Sequence, residues 1–323
     1  LDYHRVNGRI NRASAKEIRS FMDEHSDLAP SDIMFRRWLK KLGQKRHWTT
    51  LLQNFSDADY QRSRDDELRC YYVRALYGRE QRKKALDWTT DLWLSPKSQP
   101  KACDPIFDVW RTTPRFTEEI AWQRFDAAIK NNQRKLSRYL LRFFTGSNKR
   151  TAEAYYQVHT QPKRVAKRSR FARDNAQNRS IIQHGLMRLS RNGAEDAAKA
   201  WARYAETHSF SPVQRSIIAE HIQVGLARGG TFPGAAERAQ FTSSFATQGL
   251  AEAALAQQNW EELMYWVSHL PSGEQNTQRW QYWWARALQH GALLWLWGLV
   301  VLCVVGVLWV VAGQRQYYGV TAA

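Results

Sequence analysis

A repeated pattern of short amphipathic helices separated by tight turns most constrains the fold of this chain of 323 residues. Apolar residues recur three and four positions apart through most of residues 1 to 290, as in α-helices with one buried face. Glycine or asparagine interrupts the pattern where a helix must end, because both adopt the left-handed backbone conformation easily. No segment shows a convincing β-strand pattern. The chain is therefore predicted to be all-α.

The interruptions divide the sequence into helical hairpins. Residues 33 to 55 give the clearest one, in which Met34, Trp38 and Leu42 form an apolar stripe that breaks at Gly43. Further pivots are predicted at Gly78, Asn131-Asn132, Asn192-Gly193 and Gln258-Asn259. A hairpin cannot bury its apolar face alone, so we predict a superhelical α-solenoid of stacked helical hairpins. The sequence RGGTFPG at residues 228–234 is a candidate hinge between halves.

The segment from Ala85 to Arg111 reads ALDWTTDLWLSPKSQPKACDPIFDVWR. It begins as a helix and breaks at Pro96, because proline lacks an N–H group and clashes with the preceding turn. A polar turn follows, then Cys103 and a second short apolar segment that ends at Trp110. Two helices joined by a proline-rich corner are predicted here.

This segment resembles the superhelical domain of soluble lytic murein transglycosylases, and a weaker likeness extends over nearly all of residues 1–290. The residues that carry it are Trp93, Lys97, Ser98, Gln99, Pro100, Cys103, Asp104, Phe107 and Trp110. The resemblance implies that residues 1–290 form the U-shaped domain of such an enzyme, located in the periplasm. For the parent enzyme it implies cleavage of the β-1,4 bond between N-acetylmuramic acid and N-acetylglucosamine in peptidoglycan, with 1,6-anhydro products.

The resemblance also implies a role for two of the three cysteines. The family carries cysteines at the positions of Cys70 and Cys103, and in an exported protein we expect them to form a disulfide. The bridge would close a loop of about 33 residues and stabilise the fold by roughly 3–4 kcal/mol. The alternative is two unpaired buried thiols. Cys303 lies in an apolar run and is predicted to be a small buried side chain.

The motifs of the family's catalytic domain are absent from the sequence. The resemblance implies a single glutamate that acts as acid and then as base, within segments that read E-S, G-L-M-Q with M-P and T-A, and A-Y-N-A-G-P. Residues 185–187 read G-L-M but continue with R-L inside a predicted hairpin. We therefore predict no catalytic residue in this chain. If activity were found, Glu195 and Glu261 would be the first candidates. No phosphate-binding or metal-binding motif occurs either, so no cofactor and no metal are predicted.

The charge of the chain favours anionic partners, because 48 lysines and arginines against 30 acidic residues give a net charge of +18. A strongly basic run contains Lys163, Arg164, Lys167, Arg168, Arg170, Arg173 and Arg179. Since no nucleic-acid-binding signature accompanies it, we interpret the run as a solvated helix face. The expected partner is peptidoglycan, bound weakly through a basic surface, rather than nucleic acid. The alternatives are a helical scaffold for protein partners and a basic nucleic-acid-binding module.

The C-terminal stretch departs from the resembled family. Residues 292–312 are 21 positions without a charge, long enough to cross a bilayer core of about 30 Å. Three interpretations stay open for residues 291–313: a membrane anchor, a locally altered reading frame, or an unusually apolar buried helix. Residues 314–323 resemble the next family segment. Because the chain begins with Leu1 rather than Met, we expect a fragment or a processed form. Because the catalytic motifs are absent, we expect it to lack the C-terminal catalytic domain of the family.

Overall fold

A computed structural model describes residues 2–10, 12–25 and 28–290, and this part of the chain contains helices and no strand. The prediction of an all-α fold is confirmed. The first helices are α1 (Asp2–Gly8), α2 (Ala15–Glu24), α3 (Ala29–Gln44), α4 (Trp48–Asn54), α5 (Asp57–Arg62), α6 (Asp66–Gly78), α7 (Arg82–Trp93), α8 (Asp104–Arg111), α9 (Glu118–Lys130), α10 (Arg134–Leu140) and α11 (Gly146–Thr160). They continue with α12 (Ala176–Leu189), α13 (Ala194–Thr207), α14 (Pro212–Arg228), α15 (Ser244–Ala256), α16 (Trp260–Ser268), α17 (Ser272–Gln275) and α18 (278–290). Short 3-10 helices lie at Lys101–Cys103, Leu141–Phe143, Pro162–Ala166, Arg168–Phe171 and Arg238–Gln240.

The chain forms two compact units that divide between Tyr156 and Gln157, inside α11. The hinge expected at residues 228–234 is therefore not the division between units. That loop is tied down from both sides, because Gln223 Nε2 donates to the Thr231 carbonyl at 3.1 Å and Gln257 Nε2 to the Arg228 carbonyl at 2.7 Å.

Helices pack mainly against their neighbours in sequence within each unit. In the first unit α3 and α4 contact α6, α6 contacts α7, α7 contacts α8, and α9 contacts α10. In the second unit α12 contacts α13 and α14, α14 contacts α13 and α15, and α15 contacts α16. Such packing is typical of helical hairpins that bury their apolar faces by stacking.

The predicted turns coincide with left-handed residues at only some positions. Asn132 and Gln258 have φ angles of 57° and 53°, as the pattern predicts. At Gly43 the prediction is wrong, because α3 continues to Gln44 and the left-handed residue is Arg46, with φ of 59°. Gly43 serves close packing instead: a Cβ atom there would lie 2.2 Å from Cγ of Tyr71.

The basic run carries exposed cations such as Lys167 and Arg173, as predicted, but it is not one face of an α-helix. Two 3-10 helices cover most of residues 162–171, and they are anchored by the buried side chains of Val165 and Phe171. The Val165 carbonyl accepts from Tyr204 Oη at 2.8 Å, and the Phe171 carbonyl lies 2.8 Å from His208 Nε2. Lysines such as Lys163 remain exposed.

Candidate functional site

The residues of the family-like motif form a proline-rich corner between α7 and α8. Helix α7 ends at Trp93, and the chain then turns until the 3-10 helix Lys101–Cys103 leads directly into α8. Pro105 lies in the first turn of α8, where a missing N–H group leaves no helical hydrogen bond unmade. The helix break predicted at Pro96 is therefore present, with the last helical residue three positions earlier.

Helix α6 fixes this corner through three connections. In the structure a disulfide joins Cys70 of α6 to Cys103, with 4.9 Å between their Cα atoms, and both residues are fully buried. One turn later in α6, Arg74 Nη1 donates to the Ala102 carbonyl at 3.2 Å. Near the start of α6, the Asp66 carboxylate accepts from Gln99 Nε2 at 3.5 Å. That the bridge forms in exported protein stays a prediction.

The aromatic residues of the motif form the core beneath the corner. Trp93 lies 5.3 Å from Phe107 and 5.4 Å from Trp110, measured between ring centroids. The Trp110 indole N–H donates to Thr90 Oγ1 at 3.0 Å, which satisfies its polar atom. The Trp93 indole nitrogen is buried and has no acceptor among the described residues. Trp93 and Trp110 are nearly inaccessible to solvent, so these tryptophans pack in the core and are not exposed for sugar stacking.

Arg124 was not identified from the sequence, yet it lies at the centre of this region. It projects from α9 and is only 3% exposed. Its guanidinium carbon is 4.3 Å from the centroid of the Trp93 ring and 5.8 Å from that of Phe107. Nη2 donates to the Lys97 carbonyl at 3.3 Å, whereas the buried Nε has no acceptor among the described residues. Burial, reinforced by the positive charge of Arg111, lowers the Arg124 pKa to about 10.

A pocket of about 220 Å³ opens between the corner and helices α8, α9 and α10. Its walls are Trp93, Ser98, Gln99, Asp104, Phe107, Arg111, Arg124, Lys135, Leu136 and Tyr139. Three of these side chains are cationic and one is a carboxylate, so the pocket carries a positive formal charge. Five motif residues therefore meet in one place.

The other motif residues lie around this pocket rather than in its walls. Lys97 contributes its carbonyl to Arg124 while its side chain is exposed. Pro100 directly precedes the 3-10 helix, and its carbonyl accepts from the Cys103 N–H at 2.9 Å. The sequence signal for Arg124 was its position in the apolar stripe of α9, between Ala121 and Ala128. An arginine on a buried face requires an explanation.

The glutamates singled out as fallback acids do not lie in desolvated pockets, since Glu195 and Glu261 are exposed. The buried glutamates are Glu220 and Glu262, which the sequence did not single out. Glu220 accepts from Ser243 Oγ at 2.8 Å. Glu262 binds Arg238 and accepts from the Trp266 indole N–H at 2.7 Å, so its oxygens are engaged in packing contacts.

The G-L-M sequence at 185–187 lies inside α12 and serves helix packing. A Cβ atom on Gly185 would lie 2.7 Å from the side chains of both Val158 and Val165. In the part of the chain that the structure describes, no cluster of three metal-ligating side chains occurs, and no helix there could span a membrane. The apolar segment 292–312 lies outside the described residues.

The sequence and the helical fold resemble those of known proteins. A scan against models of protein families finds no match. The soluble lytic murein transglycosylases of Salmonella typhimurium and Escherichia coli K12 are each 24% identical over 295 residues, which cover 89% of this chain and 45% of theirs. The chain is homologous to the soluble lytic murein transglycosylases.

Solved structures agree with this relationship. The lytic transglycosylase Slt of Pseudomonas aeruginosa, solved as an inactive mutant, is 28% identical with a TM-score of 0.67, over 89% of this chain and 47% of that one. The 70-kDa soluble lytic transglycosylase of Escherichia coli has a TM-score of 0.70 at 21% identity, over 90% of this chain and 47% of that one. The chain thus spans about half the length of the relatives it matches.

Proposed function

We propose that residues 1–290 are the non-catalytic, superhelical U-shaped domain of a soluble lytic murein transglycosylase, and that they bind peptidoglycan weakly through a basic surface. The observation that carries the proposal is a homology that covers nearly all of this chain but about half of each relative, on an all-α fold. The family's catalytic segments are absent from the sequence, and the buried glutamates of the described residues are held by serine, arginine or tryptophan. The parent enzyme would cut the MurNAc–GlcNAc bond to 1,6-anhydro products in cell-wall turnover.

The activity test uses the full chain with purified peptidoglycan sacculi, followed by mass spectrometry of the soluble products. We expect no 1,6-anhydro-muropeptides above the level of a protein-free control. A lytic transglycosylase with its catalytic domain serves as the positive control on the same sacculi. Protein-dependent release of anhydro products by this chain would contradict a non-catalytic role.

The binding test measures how much chain sediments with sacculi as salt rises from about 0.05 to about 0.5 M, because screening weakens contacts between exposed charges. We expect binding that falls steadily with salt. Two triple variants remove three exposed cations each: K163Q/K167Q/R173Q in the basic run and R134Q/K149Q/R150Q in the first unit. Similar losses for both would indicate attraction by the overall charge. Retention of sacculi by neither wild type nor variants at low salt would overturn this part of the proposal.

The two alternatives make different predictions in the same assay. A protein scaffold would bind a partner that stays bound at high salt. A nucleic-acid-binding module would bind DNA with a steep salt dependence and show no preference for sacculi. The basic run favours neither, because its 3-10 helices are anchored by apolar side chains and the described part of the segment forms no known nucleic-acid-binding motif.

We also propose a periplasmic location, supported by the disulfide, since such bridges persist in oxidising compartments. An anchor at residues 292–312 stays a prediction. Fractionation of the full chain and of a variant without residues 292–312 separates the possibilities: the anchor predicts membrane-bound full chain and released variant. Full chain already found in the soluble fraction would contradict the anchor and leave the periplasmic proposal standing.

A further inference from the structure

The pocket at the motif corner has a charge that the surrounding protein does not balance. Buried arginines normally pair with a carboxylate, because an unpaired buried charge is costly. No ion pair involves Arg124 among the described residues, and its protein partners are two aromatic rings and the Lys97 carbonyl. Aromatic faces offset part of the charge. They supply no acceptor for the remaining N–H groups.

The region is also short of acceptors. The two buried polar atoms without partners here, Nε of Arg124 and Nε1 of Trp93, are both donors. An aqueous anion or an oxygen-rich group supplies acceptors only, and planar guanidinium groups bind carboxylate and phosphate oxygens in pairs. Both atoms are shielded from solvent, so they are not contact atoms for a ligand, but they show that the protein here supplies donors and few acceptors. A ligand that complements such surroundings is an oxyanion.

The pocket mouth presents further groups that suit an oxyanion. Lys135 is exposed at the rim and forms no ion pair with any described residue. Arg111 binds Asp108 and donates to Tyr139 Oη at 3.3 Å, which holds both side chains at the wall. Ser98 and Gln99 add neutral polar groups. Asp108 offsets the charge of Arg111, so Asp104 is a single exposed carboxylate against the two remaining cations, Arg124 and Lys135.

We propose that this pocket is a binding site for a small oxyanion, with Arg124 at its base and Lys135 at its mouth. Its volume of about 220 Å³ suits the head group of a larger molecule or a free ion. The carboxylate at the end of a peptide and inorganic phosphate share this chemistry. The proposal does not depend on binding to sacculi, because the pocket is small and separate from a diffuse basic surface.

The test is a titration of the full chain, observed through amide and indole NMR signals, with three probes: acetyl-alanyl-alanine with a free carboxylate, the same dipeptide as its C-terminal amide, and inorganic phosphate. The concentrations reach about 10 mM, which detects millimolar affinities. We expect the free carboxylate or phosphate to shift the Trp93 indole and the amides around Ser98 and Tyr139, and the amide to have no effect.

Two neighbouring lysine and arginine positions on α10 provide a matched pair of variants. K135Q removes a cation from the pocket mouth and should weaken anion binding about two- to fivefold, the effect of a partly exposed ion pair. R134Q removes the same charge from the adjacent exposed position, outside the pocket, and should leave the affinity unchanged. R124K keeps the charge but loses the planar fork and should weaken binding at least about tenfold. Its circular dichroism spectrum must match wild type for that comparison, and K135Q carries the test if it does not.

The outcomes decide whether the pocket binds an oxyanion and which molecule supplies that oxyanion. Response to the free dipeptide but not to phosphate would assign a peptide carboxylate, and response to phosphate alone would assign a phosphate group. Equal weakening by K135Q and R134Q would overturn the proposal in favour of non-specific attraction. Absence of any shift near Trp93 with both anions would overturn it as well. Sacculi binding that persists in either case would leave the proposed function intact.

Discussion

The motif corner of the first unit and the region where α12, α14 and α15 meet in the second unit pack their helices in different ways. In the first, the motif corner is filled with large side chains and cross-linked by a disulfide, and Trp93, Trp110 and Phe125 are all nearly inaccessible. In the second, helices α12, α14 and α15 approach closely through small residues. A Cβ atom on Gly225 would lie 2.2 Å from the Ser190 carbonyl oxygen, and one on Gly249 would lie 2.8 Å from Val224.

This difference shows that one packing problem has two solutions. Burying bulky rings gains transfer free energy and makes the core sensitive to the loss of volume. Helices that approach closely at glycine gain backbone contacts because no side chain lies between them. Such an interface is therefore sensitive to added atoms. The motif corner should therefore tolerate truncation poorly, and the contacts among α12, α14 and α15 should tolerate enlargement poorly.

The largest effect is expected for Trp110→Ala, which removes a fully buried ring and leaves a cavity. It should lower the free energy of unfolding of the first unit by about 3–5 kcal/mol. Hydrogen exchange followed by mass spectrometry measures this in peptides from residues 85–125, with peptides from 212–256 as an internal reference. Ile33→Ala, at a side chain 50% exposed, is the control and should cost below about 1 kcal/mol. Equal effects of the two substitutions would contradict a volume-dependent core.

The disulfide should contribute nearly as much. Replacing Cys70 and Cys103 together by serine should lower the free energy of unfolding by about 3–4 kcal/mol, because the unfolded chain regains the entropy of a closed loop. Urea unfolding measures the loss, and wild type in reducing agent should match the variant.

The state of the thiols is a separate observation. Non-reducing peptide mapping after periplasmic expression should recover residues 70 and 103 in one linked species. Recovery of both thiols in the free form would show that the bridge does not form in exported protein. Reducing agent would then leave the urea unfolding curve of the wild type unchanged.

The second unit should respond to an added methyl group. Gly225→Ala should lower its free energy of unfolding by about 1–3 kcal/mol, because the new atom meets a backbone carbonyl that cannot move aside. Gly249→Ala should cost less, since it meets the side chain of Val224. Gly234→Ala, with no atom within 4 Å of the new position, is the control. Hydrogen exchange in peptides from 212–256 ranks the three, and a neutral Gly225→Ala would disprove close approach as the basis of this packing.

The sequence predicted the helices well, because their signals are local. Asn132 and Gln258 illustrate this: each lies where an apolar stripe ends, and each has a left-handed backbone. Gly43 shows the limit. Its role depends on the Tyr71 ring, 28 positions away, and no local pattern reports that approach. A second example is the turn after α6, where the left-handed residue is Glu80 and not Gly78. Gly78 instead lies close to the ring of Trp48, which is distant in sequence.

The motif and its pocket show the same limit for function. The likeness to the transglycosylases identified five residues of the pocket wall but not Arg124, which lies outside the motif in sequence and beside Trp93 in space. The amino-acid pattern of α9 already contains the signal, an arginine within an apolar stripe. It does not reveal that the neighbours of this arginine are rings and a carbonyl rather than a carboxylate, because those neighbours come from distant parts of the chain.

The smallest expected effect is a loss of stability at low pH. It depends on carboxylates whose pKa is lowered by folding, and the two units differ in how many of these they contain. Four carboxylates in the first unit have lowered pKa values, those of Asp57, Asp59, Asp87 and Glu118, whereas Asp174 is the one such group described in the second. For Asp57, burial acts to raise the pKa, but hydrogen bonds from Lys84 and Tyr72 outweigh it and the net direction is down. Tyr72 Oη donates to Asp57 at 2.7 Å, and Lys84 forms an ion pair with it.

A carboxylate whose pKa is lowered by folding stabilises the folded state above its unfolded pKa, about 3.9, and this contribution is lost as pH falls through the folded value. Because Asp57 is 51% exposed, its pair should contribute only about 0.2–1 kcal/mol. Asp57→Asn should therefore be less stable than wild type by about 0.5 kcal/mol at neutral pH, and the difference should shrink as the pH falls below about 3.9 and through the lowered folded pKa. Urea unfolding at several pH values measures the difference, with Asp23→Asn, at an exposed carboxylate without an ion pair among the described residues, as the control. A constant difference across the pH range would mean that the substitution acts through packing with Tyr72 rather than through charge, and the acid sensitivity of the first unit would then rest on Asp59, Asp87 and Glu118.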